Sequence, residues 1–156
     1  MSEKICAFTG HREIPAKDMT RILAQLDGMI SKLIDEGYTE FRCGGAQGFD
    51  TMAALNVLEA KKRAPHIKLA LYLPCKNQTR GWKLTDKKAY EVVLANADSV
   101  KYCSENYYSG CMHARNRAMI DGSDTCVAYC TSSHGGTAYT LVHARRNQVR
   151  TILLEK

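Results

Sequence analysis

Six short apolar runs, each parted from the next by a stretch long enough for a helix, leave this chain few architectures to adopt. The runs cover residues 4–8, 38–43, 67–73, 99–102, 125–129 and 149–154. Between them, apolar positions recur at helical spacing. Met19, Ile22, Leu23, Leu26, Met29, Ile30, Leu33 and Ile34 form one stripe, with Gly37 placed to cap its C-terminus. A second helix should turn Met52, Leu55 and Leu58 inward and run out in Lys61-Lys62-Arg63, where positive charge complements the helix dipole. A third spans Thr85 to about Ala95 with Tyr90, Val93 and Leu94 inside, a fourth carries Arg115 and Arg117, and a fifth begins near Thr137 and reaches about Asn147. Apolar strands alternating with amphipathic helices predict an α/β protein. It should be a Rossmann-like three-layer sandwich, a mainly parallel sheet with helices on both faces. With no linker or repeat, residues 1–156 are expected to form a single domain.

Ligands of such sheets sit beyond the strand C-termini, near a topological switch point. Three polar, glycine-containing turns follow strands here, at 9–12, 44–50 and 131–137, and are expected to meet at one edge. In Thr9-Gly10-His11-Arg12 the glycine permits a tight turn. Arg12 either clamps a phosphate or sits in water, and His11 is a candidate general base without an identifiable partner. In the second turn Gly44, Gly45 and Gly48 let the backbone approach a ligand. Asp50 either caps the helix that follows or bonds a ribose hydroxyl. The stretch is neither a dinucleotide fingerprint nor a Walker A loop. In the third turn Gly135, Gly136 and Thr137 open a helix, whose free N–H groups can hold an anion. Thr137 either caps that helix or bonds a phosphate.

The helix before this turn presents Arg115 and Arg117 in different directions. Arg115 is expected to face the site as a charge-assisted donor, and Arg117 to be solvated. Asp121 or Asp124 would be the alternative partner of an arginine. The expected ligand-binding set is Thr9, Gly10, Arg12, Gly44, Gly45, Gly48, Asp50, Arg115, Gly135, Gly136 and Thr137. If the site is catalytic, Arg115 and Asp50 are the candidates. Trp82, Tyr107 and Tyr108 lie in loops, each able to stack on a base.

Charge points the same way. Lys plus Arg number 22 against 16 Asp plus Glu, a net +6 that favours anionic partners. The charges are spread along the chain, which argues against a dedicated nucleic-acid arm. No apolar run is long enough to span a bilayer, and the opening residues carry no secretory pattern, so a cytoplasmic protein without membrane partners is expected. Seven cysteines without a C-x-x-C fit reduced thiols, with Cys6, Cys126 and Cys130 packed as small hydrophobes. Cys103, Cys111 and His113 lack paired-ligand spacing, so neither a metal nor a cofactor is expected.

Together these residues resemble the SLOG superfamily, which unites DNA-processing protein A (Smf) with the "lonely guy" cytokinin-activating phosphoribohydrolases. Within it they are most similar to the bacterial YpsA-like proteins. The likeness runs through Thr9-Gly10-His11-Arg12, Gly44-Gly45-Ala46-Gln47-Gly48-Phe49-Asp50, the stretch 112–119 and Gly135-Gly136-Thr137. It implies a Rossmann-like domain that binds nucleotides or nucleotide-derived ligands, and a homo-oligomer. The phosphoribohydrolases carry M-H-x-R-K-x-x-M followed by P-G-G-x-G-T-x-x-E. Met112-His113-Ala114-Arg115 and Met119 match the first, with Asn116 in place of the lysine. Gly136-Thr137 match the G-T of the second, the proline is lost, and the glutamate falls on Thr140. In those enzymes the resemblance makes the arginine and glutamate the catalytic pair, and a threonine supplies no carboxylate. The anion site is kept while the hydrolytic pair is not.

Three readings follow. The first is a nucleotide-binding domain, a sensor of nucleotide-derived ligands. The second is an N-glycosidic hydrolase of nucleoside monophosphates with Asp50 as substitute carboxylate. The third, least favoured, is a single-stranded DNA-binding protein.

Overall fold

Strand and helix alternate without exception: β1 (Lys4–Gly10), α1 (Ala16–Asp35), β2 (Tyr38–Cys43), α2 (Phe49–Lys61), β3 (Lys68–Leu73), α3 (Leu84–Asn96), β4 (Ser99–Tyr102), α4 (Cys111–Ile120), β5 (Thr125–Tyr129), α5 (Gly136–Arg146) and β6 (Arg150–Leu153). The computed structural model describes residues 3–154. Strands joined this way must run parallel, because each helix carries the chain back to the edge where the last strand began. Every neighbouring pair is parallel, in the order β4-β3-β2-β1-β5-β6. The expected Rossmann-like α/β architecture is the one found.

Side chains alternate across this sheet and fill two cores. Cys6, Phe8, Phe41, Cys43, Leu69, Leu71 and Leu73 pack with Ile22, Leu26, Ile30 and Leu33 of α1 and with α2. Ala7 and Cys126 pack the other way, with Met119, Ile120, Ala144 and Val149. Consistent with this, α2 lies between α1 and α3, and α4 packs on α5. The buried face of α2 differs from expectation. Its buried residues are Phe49, Asp50, Ala53, Ala54, Val57 and Ala60, while Met52 and Leu58 are partly buried against the core and Leu55 is 40% exposed. Alanines let the helix axis approach the sheet closely, so the small residues take the inside and the leucines move to the flank.

The strand order places the site. From β1 the chain steps outward through β2 and β3 to β4, then α4 returns it to β5 on the other side of β1. The crevice of such a reversal opens beyond the paired ends of β1 and β5, where Gly10 stands opposite Tyr129.

Candidate functional site

Beyond those strand ends lies a cavity of about 470 Å³. The first turn supplies Thr9, Gly10, His11 and Arg12, the second Ala46 and Asp50, α4 contributes Met112, His113, Arg115 and Asn116, and α5 contributes Gly136 and Thr137. All three turns therefore reach one rim. Of the expected ligand-binding residues, Thr9, Gly10, Arg12, Asp50, Arg115, Gly136 and Thr137 line the cavity, and Gly135 borders an adjoining groove.

Gly44, Gly45 and Gly48 do not line this cavity, and they and Gly10 have another reason to be glycine. A Cβ on Gly48 would strike the Arg12 carbonyl, and the residue sits at φ 73°. A Cβ on Gly10 would enter the Phe49 ring, and one on Gly45 would collide with Leu73. A Cβ on Gly44 would stand 2.7 Å from an Arg115 nitrogen and 2.8 Å from Asp50 Oδ2. These positions serve close packing of protein on protein. Phe49 N–H also donates to the His11 carbonyl at 3.1 Å, pressing the second turn onto the first.

The start of α5 is open. Gly135 precedes it with φ 99°, no side chain caps it, and its first backbone bond runs from Tyr139 N–H to the Gly135 carbonyl. The N–H groups of Gly136, Thr137 and Ala138 thus stand ahead of the helical ladder. Thr137 is 7% exposed and caps nothing. Thr140, where the related hydrolases place a glutamate, is fully buried, and its hydroxyl donates to the Gly136 carbonyl at 2.8 Å.

Asp50 is not the cap of α2 either. That position belongs to Gly48, and Asp50 Oδ2 instead accepts the Ala46 N–H at 3.2 Å. Burial lifts its carboxyl from 3.8 to about 6, against the opposing pull of Arg115, the Ala46 N–H and Arg12. It is the one carboxylate on the cavity wall among the described residues. Arg115, 4% exposed, has its basicity lowered by burial. It is tied to the protein: its guanidinium donates to the Gly44 carbonyl, to the Tyr72 carbonyl at 3.4 Å and to Asn116 Oδ1 at 2.7 Å. Arg12 is exposed and makes no hydrogen bond or ion pair among the described residues, so it is the cation free to meet a ligand.

His11 is held where a free base would not be. Its Nε2 accepts the Thr131 N–H at 2.8 Å, which leaves the proton on Nδ1, and its ring meets Tyr129 edge-on. Burial lowers its pKa. The residue ties the first turn to the third across the crevice. Arg117 does not line the cavity; it is partly exposed and donates to Tyr139 Oη at 2.7 Å, between α4 and α5. Asp121 pairs with His143 and Asp124 accepts the Ile5 N–H, so neither partners Arg115 or Arg117. Trp82, Tyr107 and Tyr108 do not line the cavity. The ring pairs that reach its wall are His11 with Tyr129 and His113 with Tyr139, the latter with ring centroids 4.2 Å apart. Sequence reasoning left Ala46, Met112, His113 and Asn116 out of the site. Helical spacing held the signal, since Met112 lies three residues before Arg115 and four before Asn116, while His113 required knowing where α5 packs.

Comparison with known proteins agrees with this fold. A model of the YpsA SLOG family matches residues 6–152. The uncharacterized SPbeta prophage-derived protein YoqJ of Bacillus subtilis is 31% identical over 138 residues, covering 81% of this chain and 79% of the relative. Among solved structures, DNA processing protein A from Helicobacter pylori, described for its single-stranded DNA binding mode, superposes with a TM-score of 0.71 at 20% identity. That match covers 98% of this chain and 66% of the other. DNA processing protein A from Streptococcus pneumoniae superposes with a TM-score of 0.70 at 14% identity, 97% of this chain covering 50% of that one. The chain thus spans between half and two-thirds of these structural neighbours.

Proposed function

The chain belongs to the YpsA family of SLOG proteins, and from that premise we propose that it binds a nucleotide or nucleotide-derived ligand, with a phosphate seated at the start of α5. One observation carries this reading. The uncapped N-terminus of α5, with Gly136 and Thr137, shares a switch-point cavity with the uncommitted cation Arg12. Backbone N–H groups at a helix start, aided by the helix dipole, favour an anion. The cavity volume falls in the range of small-molecule sites. Asp50 at the other side suits a hydroxyl donor such as a ribose, since a second anion there would be repelled.

A thermal-shift panel of AMP, ADP, ADP-ribose and NAD at millimolar concentration tests it. A ligand that binds the folded state must raise the melting temperature. At least one member is expected to do so, and no shift from any of them contradicts the reading.

A second reading draws on Asp50 alone. A carboxyl that titrates near 6 is suited to proton transfer close to neutrality. The site then hydrolyses the N-glycosidic bond of a nucleoside monophosphate, with Asp50 in the carboxylate role that Thr140 cannot fill. Release of ribose 5-phosphate from AMP or CMP is the assay. Release by the wild type that persists undiminished in D50A removes Asp50 from that role.

A further inference from the structure

Arg115 is the arginine that sequence places in the site, yet almost all its donors are engaged by the protein itself. Beyond the three bonds already described, its remaining terminal nitrogen reaches only Met112 Sδ, at 3.8 Å. Its bond to Asn116 has a consequence. An arginine N–H can only donate, so the atom 2.7 Å from Arg115 Nε must be the amide oxygen of Asn116. That turns the Asn116 NH2 the opposite way. There Nδ2 lies beside α5, 3.9 Å from where a Cβ on Gly136 would stand. Asn116 is 8% exposed and lines the cavity, and its Nδ2 donates to nothing among the described residues. A nearly buried amide, fixed in one orientation and aimed at an uncapped helix start, holds an unused donor at the anion position.

We infer that Asn116 Nδ2 is the side-chain donor that completes the anion cradle at the start of α5, and that Arg115 is a positioning residue acting through it. This rests on the anion-binding reading of the cavity. It shifts the contact from the arginine to its neighbour, where the related hydrolases carry a lysine. A neutral amide replaces a mobile cation, so the cradle selects by direction of its N–H groups more than by charge.

Isothermal titration of the folded protein with AMP, and separately with inorganic phosphate, tests it in wild type, N116A, N116D, R115K and the double variant R115K/N116A. A carboxylate at 116 still accepts the Arg115 N–H, so N116D is expected to keep the wild-type melting temperature. It loses the donor and adds a repelling charge, so AMP affinity falls at least about tenfold, the scale of a hydrogen bond to a charged group. N116A should lose about tenfold. R115K, which keeps a cation near the Gly44 carbonyl but has no Nε–H, should weaken binding in the wild-type background and add nothing in the N116A background. Unchanged affinity in N116A, or losses for R115K and N116A that multiply, overturns the assignment. If R115K does not fold, N116A and N116D decide alone. Wild-type protein that binds neither AMP nor phosphate overturns the anion-binding reading itself, a result distinct from a wild type that binds and an N116A that binds equally well.

Discussion

The turns at 44–50 and 131–137 are alike in composition and opposite in use. In the first, every glycine is pressed against protein: Gly44 against Arg115 and Asp50, Gly45 against Leu73, Gly48 against the Arg12 backbone. In the second, nothing lies within 4 Å of a Cβ placed on Gly135, and only Asn116 Nδ2 comes that near one on Gly136. The closed turn builds the wall of the crevice, and the open turn leaves N–H groups for something else to meet. Glycine content alone does not make a ligand loop. What surrounds the missing side chain decides.

Substitutions can break or sharpen this contrast, and the largest effect belongs to the closed turn. G48A forces a Cβ into the Arg12 carbonyl at a positive φ, and should lower stability by about 3 kcal/mol or more in urea unfolding. If it unfolds like wild type, the turn is not packed as described.

D50N comes next and has the opposite sign. The folded-state pKa of Asp50 is raised, so its ionisation penalises folding. The penalty is absent below the ordinary value of 3.8, grows as pH rises to about 6 and is constant above. At pH 8 the neutral D50N should therefore be more stable than wild type by up to about 3 kcal/mol, a gap that closes towards pH 4. Urea melts at pH 4, 6 and 8 check this, and a pH-independent difference contradicts it.

In the open turn, G136A should leave the melting temperature close to wild type, since the position is helical and the space is free. It should weaken AMP binding several-fold by crowding the N–H groups, about 1 kcal/mol. The smallest effect is expected at the tie between turns. H11A removes the acceptor of the Thr131 N–H and should cost about 1 kcal/mol or less. Because the His11 pKa is lowered in the folded protein, its contribution is complete above 6.5 and fades as pH falls through that lower value. The difference between H11A and wild type should shrink below pH 6.

The fold was legible because burial on both faces leaves a strong mark: runs such as 67–73 and 125–129 are apolar almost throughout. Which strand neighbours which is a property of the crossovers, and no local residue pattern records that β5 returns beside β1. Element edges also moved, since Thr9 and Gly10 read as turn but pair with Ala128 and Tyr129. Within the site, residue types identified Arg12, Asp50, Arg115, Gly136 and Thr137. Their division of labour was hidden, because Arg115 and Arg12 are the same residue in a sequence. Only three-dimensional packing shows one tied to two carbonyls and an amide and the other free. Asn116 was noted as a departure from the lysine of related enzymes, but the direction of its amide depends on the neighbour that holds it.

The central claim is that an anion sits at the start of α5, and amide chemical shifts of 15N-labelled protein titrated with AMP test it most directly. The account predicts saturable shifts concentrated on the backbone amides of Gly136, Thr137 and Ala138 and on the Asn116 side chain, with the amides of Gly45 and Gly48 moving little. Shifts centred elsewhere, or none at millimolar AMP, would contradict it.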